Sequence, residues 1–95
     1  MNFRYKDSYL KKFDRFSPQD KELIIECDKQ IRGYYTSQSA PYGVRIKKLY
    51  SQGKDKIFEA RVSNKIRIVW VEAEDMVIFV LLGNHDDIRN FIKRL

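Results

Sequence analysis

The stretch FEARVSNKIRIVW, running from Phe58 to Trp70, decides the fold. Phe58, Ala60 and Val62 alternate with Glu59 and Arg61. Ile66, Ile68 and Trp70 then alternate with Lys65, Arg67 and Val69. A period of two marks a strand with one buried face. Ser63 and Asn64 separate the two runs, so the stretch reads as a hairpin. If the apolar residues of both strands share one face, even-numbered residues oppose even-numbered ones. A two-residue turn at Ser63-Asn64 would pair Val62 with Lys65 and break that match. A three-residue connection with a bulge keeps it, pairing Arg61 with Lys65 and Glu59 with Arg67. Glu59, Arg61, Lys65 and Arg67 then share the face opposite the core. Three cations and a carboxylate pack poorly beneath helices, so this face is expected to be an open, concave working surface.

The rest of the chain fits around this hairpin. Met76 to Leu82 is a continuous apolar run and reads as a central strand buried on both faces. Val44, Ile46 and Leu49 fit a strand that ends irregularly, and Phe3 to Lys6 a short one. Tyr9, Leu10, Phe13 and Phe16 recur at helical spacing. Ser17-Pro18-Gln19-Asp20 is a helix start, with Ser17 to cap and Pro18 suited to the first turn. Leu23, Ile24, Cys27 and Ile31 follow on one helical face, with Tyr34 and Tyr35 near the end. Thr36 to Gly43 is polar and reads as a loop. A last helix from about Asp86 puts Ile88, Phe91, Ile92 and Leu95 on one side. The order β-α-α-β-β-β-β-α predicts an α+β fold. N-terminal helices pack on a twisted, mainly antiparallel sheet of four to five strands, and a short C-terminal helix follows. No repeat, low-complexity tract or linker divides residues 1–95, which are expected to form one domain.

Composition narrows the class. The chain has 95 residues, 43% of them hydrophobic, enough to bury a core. One cysteine excludes an internal disulfide framework. The longest apolar run is far short of the roughly 20 residues of a membrane helix, and the N-terminus lacks an apolar signal core. A cytoplasmic, membrane-free protein is expected. The net charge of +6 is unevenly spread. Residues 43–70 carry eight basic side chains against Asp55 and Glu59, while the remainder balances. Such a stretch is either a solvated face or a surface for polyphosphate. A basic protein of this kind also suits an acidic protein partner.

His85 is the single histidine, in Gly83-Asn84-His85-Asp86-Asp87 after the most apolar strand. Strand-end loops often carry functional side chains, and imidazole ordinarily exchanges protons near neutral pH. His85 reads either as a proton-transfer group or as a structural helix-start residue. Asp86 and Asp87 are ordinary first-turn residues, and no spaced Cys or second His supports a metal, so neither metal nor cofactor is expected. Cys27 reads as a buried thiol and Trp70 as core. Tyr34, Tyr35, Tyr42 and Tyr50 flank the basic stretch, to stack on bases or to lie under loops. Arg61 and Arg67 fit a phosphate clamp. Glu59 is either a base or the ion-pair partner that orients the clamp.

These residues resemble the RelE/ParE toxin superfamily of bacterial toxin–antitoxin systems. The likeness rests on Gly43 to Leu49, Glu59-Ala60-Arg61-Val62, Arg67-Ile68-Val69-Trp70, the acidic turn Glu72 to Asp75, and the strand leading into Gly83 to Asp87. It implies a compact, microbial-ribonuclease-like fold and ribosome-dependent mRNA cleavage without a metal. Arg61, Arg67 and His85 have the spacing of the YoeB-like branch, which makes the arginines phosphate ligands and His85 the general acid or base. Asp86 stands where that branch has a tyrosine, Phe91 where some members carry another aromatic, and Lys47 near the position of a carboxylate. The expected catalytic set is His85, Arg67, Arg61 and Glu59. Arg45, Lys47, Lys48 and Lys65 are expected to bind RNA. The expected partners are a cognate acidic antitoxin, the ribosome and mRNA. The same likeness leaves open a ParE-like inhibitor of DNA gyrase acting by binding, or an inactive RNA-binding member.

Overall fold

A computed structural model of the protein describes residues 1–37 and 45–95. The elements are β1 (Asn2–Tyr5), α1 (Asp7–Asp14), α2 (Pro18–Ser37), β2 (Lys47–Gln52), β3 (Asp55–Arg61), β4 (Arg67–Ala73), β5 (Met76–Gly83) and α3 (His85–Lys93). Their order is the one the periodicities predict. The strands form one sheet in the order β1-β5-β4-β3-β2. Every pairing is antiparallel except β1 with β5, which is parallel.

The larger core lies between the sheet and the first two helices. Tyr9 of α1 and Ile24, Cys27 and Ile31 of α2 meet Ala60, Ile68, Trp70, Val77, Phe79 and Leu82 of the strands. Ser17 Oγ accepts the backbone N–H of Asp20 at 3.1 Å, so the start of α2 is capped as its sequence predicts. The helix departs from expectation at two points. It continues through Ser37, past the predicted loop start, and the rest of that loop lies outside the described residues. Leu23 is 48% exposed, because Ile24, Cys27 and Ile31 already define the core-facing line and Leu23 falls at its edge, about 100° from Ile24. Leu10 and Leu95 are exposed as well.

Phe58 opposes Trp70, and the rings stack at 5.8 Å. Ala60 opposes Ile68, so even residues do face even ones. The register is nevertheless two residues from the predicted one: Arg61 faces Arg67 instead of Lys65, and Glu59 faces Val69 instead of Arg67. The connection is longer than three residues. The N–H groups of Val62 and Ser63 both donate to the Ile66 carbonyl, two residues against one, as in a bulge. Ser63 Oγ accepts from the N–H groups of Lys65 and Ile66, which replaces the pairing those residues would otherwise make.

Two further bulges explain where the period of two fails. Val69 pairs with Leu81 and Trp70 with Phe79, leaving Val80 extra. The core-facing positions of β5 therefore change parity, from Val77 and Phe79 to Leu82, and the sequence shows only an unbroken apolar run. In β2 the extra residue is Leu49, between Lys48 opposite Phe58 and Tyr50 opposite Ile57. This is the irregular end read from Val44, Ile46 and Leu49, although Val44 lies outside the described residues.

The second sheet face is not fully open, which corrects the expectation. Ile88 of α3 packs on Ile57, Val69 and Val80, with Phe91 and Ile92 beside it. The end of that face bearing Glu59, Arg61 and Arg67 lies beyond this apolar contact and meets α3 only through His85 at its start. No helix of the described residues is long and apolar enough to cross a membrane.

Candidate active site

Strand register gathers the site. Arg61 opposes Arg67 in the β3–β4 ladder, and Arg67 opposes Gly83 in the β4–β5 ladder. The three form one row across the sheet, and His85 follows two residues beyond Gly83. On the other side Lys47 of β2 opposes Glu59. The result is a cleft of about 380 Å³ lined by Arg45, Ile46, Lys47, Glu59, Arg61, Arg67 and His85. All four expected catalytic residues line it, together with Arg45 and Lys47.

Glu59 is the one buried charged residue among the described residues, at 7% exposure. Arg67 Nη1 donates to its Oε1 at 3.2 Å. A buried carboxylate needs such a partner, and the pair in turn fixes the Arg67 fork. Arg61 differs. Among the described residues no carboxylate pairs with it, and its buried Nε has no hydrogen-bond partner. Its guanidinium therefore keeps its anion-binding capacity. From behind, the Cys27 thiol meets the Arg61 carbonyl at 3.8 Å, and burial pushes that thiol up to about 12.

His85 opens α3 and is exposed. A capping box sets its direction: Asn84 Oδ1 accepts the Asp87 N–H and Asp87 Oδ2 accepts the Asn84 N–H, both at 2.9 Å. A Cβ on Gly83 would come within 2.8 Å of Asp87 Cβ, so glycine is what lets the box close against the strand end. The spacing Gly83-Asn84-x-x-Asp87 is the sequence signature of this box. Arg45 has φ +53°, a left-handed conformation uncommon for a side chain of its size, at the entrance of β2.

Other expectations fall elsewhere. Lys65 sits in the β3–β4 connection and lines a different cleft, because the longer connection carries it past the end of the sheet. Lys48 opposes Phe58 on the parity that faces α1 and α2, and it does not line the cleft. Trp70 is fully buried and donates from Nε1 to Tyr35 Oη at 2.8 Å, so it is core. Tyr34 packs edge-on against Tyr35, and Tyr50 is exposed on the edge strand. None of them reaches the cleft, and Tyr42 lies outside the described residues. Among the described residues no three His, Cys, Asp or Glu side chains group to hold a metal ion.

No protein-family profile and no curated protein sequence matches the chain. Solved structures do. The RelE–RelB complex of the archaeon Pyrococcus horikoshii matches with a TM-score of 0.67 at 13% identity, over 87% of this chain and 92% of that one. The RelB–RelE antitoxin–toxin complex of Methanococcus jannaschii matches at 0.65 and 18%, over 93% and 96%. The YoeB dimer of Staphylococcus aureus matches at 0.66 and 13%, over 90% and 97%. The protein has the fold of the RelE/ParE toxins.

Proposed function

We propose that the protein is the toxin of a toxin–antitoxin pair, an endoribonuclease that cuts mRNA on the translating ribosome in the cytoplasm. The observation that carries this reading is the meeting of Arg61, Arg67, Glu59 and His85 in one cationic cleft. Fold likeness to RelE and YoeB toxins supports it. Two of the similar structures are complexes with RelB, which supports an acidic antitoxin as partner of this basic chain.

The chemistry follows from the residues and needs no metal. Arg61 and Arg67 hold the two non-bridging oxygens of the scissile phosphate, where negative charge grows in the transition state. Glu59 takes the proton of the ribose 2′-hydroxyl. The only described side chain bonded to its carboxylate is Arg67, so one oxygen stays available to the cleft. The 2′-oxygen attacks phosphorus, the bond from phosphorus to the 5′-oxygen breaks, and His85 gives its proton to that oxygen. The products are a 2′,3′-cyclic phosphate and a free 5′-hydroxyl. Arg45 and Lys47 extend the positive surface along the strand.

The test is primer-extension mapping of mRNA after brief expression of wild type and His85→Ala. Wild type should cut within translated codons, and the variant should lose about 10²–10⁴-fold in rate. Intact mRNA together with blocked DNA supercoiling would replace this reading with gyrase inhibition.

A further inference from the structure

A second cleft of about 270 Å³ shares two segments of chain with the candidate active site. The β3–β4 connection sends Arg61 and Arg67, at its two ends, into the first cleft. Ser63, Lys65 and Ile66, at its middle, line the second. The junction of β5 and α3 divides the same way, with His85 in the first cleft and Gly83 and Asn84 in the second. Lys12, Phe16 and Asp20 close the far wall. Lys12, Phe16 and Asp20 lie on the side of the sheet covered by α1 and α2, so a nucleic acid strand held at Arg61 and Arg67 would reach the second cleft by passing the end of the sheet.

The lining matches what a nucleotide requires. Lys12 and Lys65 are cations for a phosphate, and Phe16 is an aromatic wall for a base. Two carboxylates are present, and they differ. Asp87 is committed to the capping box. Asp20 contributes its backbone N–H, not its carboxylate, to the cap of α2. Among the described residues its carboxylate pairs with no cation. An ionised carboxylate can only accept hydrogen bonds. It therefore favours a base edge rich in amino donors over uracil, whose single N–H lies between two carbonyls. The backbone of two of its walls is held by hydrogen bonds, one by Ser63 Oγ and the other by the Asn84–Asp87 box, which lowers the ordering cost of binding there.

We propose that this second cleft is a subsite for the nucleotide flanking the scissile phosphate, and that Asp20 selects there a base bearing an exocyclic amino group. The proposal rests on the nuclease reading of the first cleft, and its test separates the two. Backbone amide shifts of the full chain would be followed by NMR during titration with single-stranded RNA hexamers. The hexamers carry 2′-deoxyribose at the point of attack, so they bind uncut, and have adenine or uracil on both sides of it.

The adenine series should shift Lys12, Ser63, Lys65 and Asn84 together with Arg61, Arg67 and His85. The uracil series should bind about fivefold or more weakly, and Asp20→Asn should abolish that difference. Lys12→Gln with Lys65→Gln should weaken both series alike and lower the salt dependence. Shifts confined to the first cleft, or equal affinity of wild type for the two series, would overturn the subsite and leave the nuclease reading intact. Shifts in neither cleft would overturn both. Shifts in both clefts, without cutting of unmodified mRNA in cells, would keep the subsite and overturn the catalytic reading.

Discussion

Arg61 stands directly opposite Arg67 in the β3–β4 ladder. Facing Cβ atoms there lie only about 4.5–5.5 Å apart, and like charges at such positions destabilise a sheet. Glu59 relieves Arg67 at 3.2 Å, and no described carboxylate relieves Arg61. Arg61→Gln should remove the repulsion and the phosphate ligand at once. Thermal unfolding should show stability unchanged or raised by a few tenths of a kcal/mol. Cleavage of mRNA should fall by about 10²-fold or more. A loss of more than about 1 kcal/mol would mean that Arg61 is a structural residue.

Arg67→Ala should behave differently, because it strands the buried Glu59 carboxylate. The expected cost is about 1–3 kcal/mol, which a domain of ordinary stability survives folded. Adding Glu59→Gln should restore most of that stability and none of the activity. Denaturant titration of the single and double variants measures the coupling. Additive losses would show that the ion pair does not hold Glu59 in place.

Gly83→Ala tests how His85 is aimed. The added Cβ crowds Asp87, so the capping box must open. Loss of a cap costs about 1 kcal/mol. Activity should fall further than that stability loss explains, since His85 is the next helical residue. Thermal melts and cleavage assays on the same sample decide it; full activity would show that His85 needs no fixed orientation.

Asp28 provides a pH test remote from the cleft. The Tyr5 hydroxyl lies 2.7 and 2.9 Å from its two oxygens, and Arg32 is 3.5 Å away. Burial dominates, so its carboxyl is raised above the usual range despite both partners. A raised folded-state value means that the charged form costs stability. That cost is absent below the ordinary carboxylate range and develops as pH rises through the folded value. Asp28→Asn should therefore stabilise the protein at pH 7, with the advantage shrinking as pH falls through the raised folded value and gone below about 4. A variant less stable than wild type at pH 7 would show that Arg32 and Tyr5 outweigh desolvation.

Cys27 reports on α2. Burial pushes its thiol up to about 12, so hardly any thiolate exists at pH 8. Thiol reagents should leave the native protein unlabelled for hours and label it promptly in denaturant. Rapid native labelling would mean that α2 opens from the sheet well below the global unfolding energy.

Local periodicity determined the elements and their order. Spacing of two at Phe58–Val62 and Ile66–Trp70, and helical spacing at Ile24, Cys27 and Ile31, are consequences of one-sided burial, which a sequence records directly. Glu59, Arg61 and Arg67 were legible for the same reason, as charges on the strand face opposite the core have few places to go, although the same parity also put Lys65 there. What only the tertiary structure decided was register and coverage. The connection after Arg61 is set by Ser63 Oγ and by two N–H groups sharing the Ile66 carbonyl, and such hydrogen bonds leave no periodic trace. That shift put Arg61 opposite Arg67 and carried Lys65 into a second cleft. Bulges at Leu49 and Val80 changed strand parity within apolar runs, where every residue looks alike. The seat of α3 across Val69 and Ile57, which leaves one end of the sheet face open, depends on contacts between residues far apart in the chain. Burial is written residue by residue in the sequence, whereas the partner that buries each residue is chosen only when the strands and helices meet.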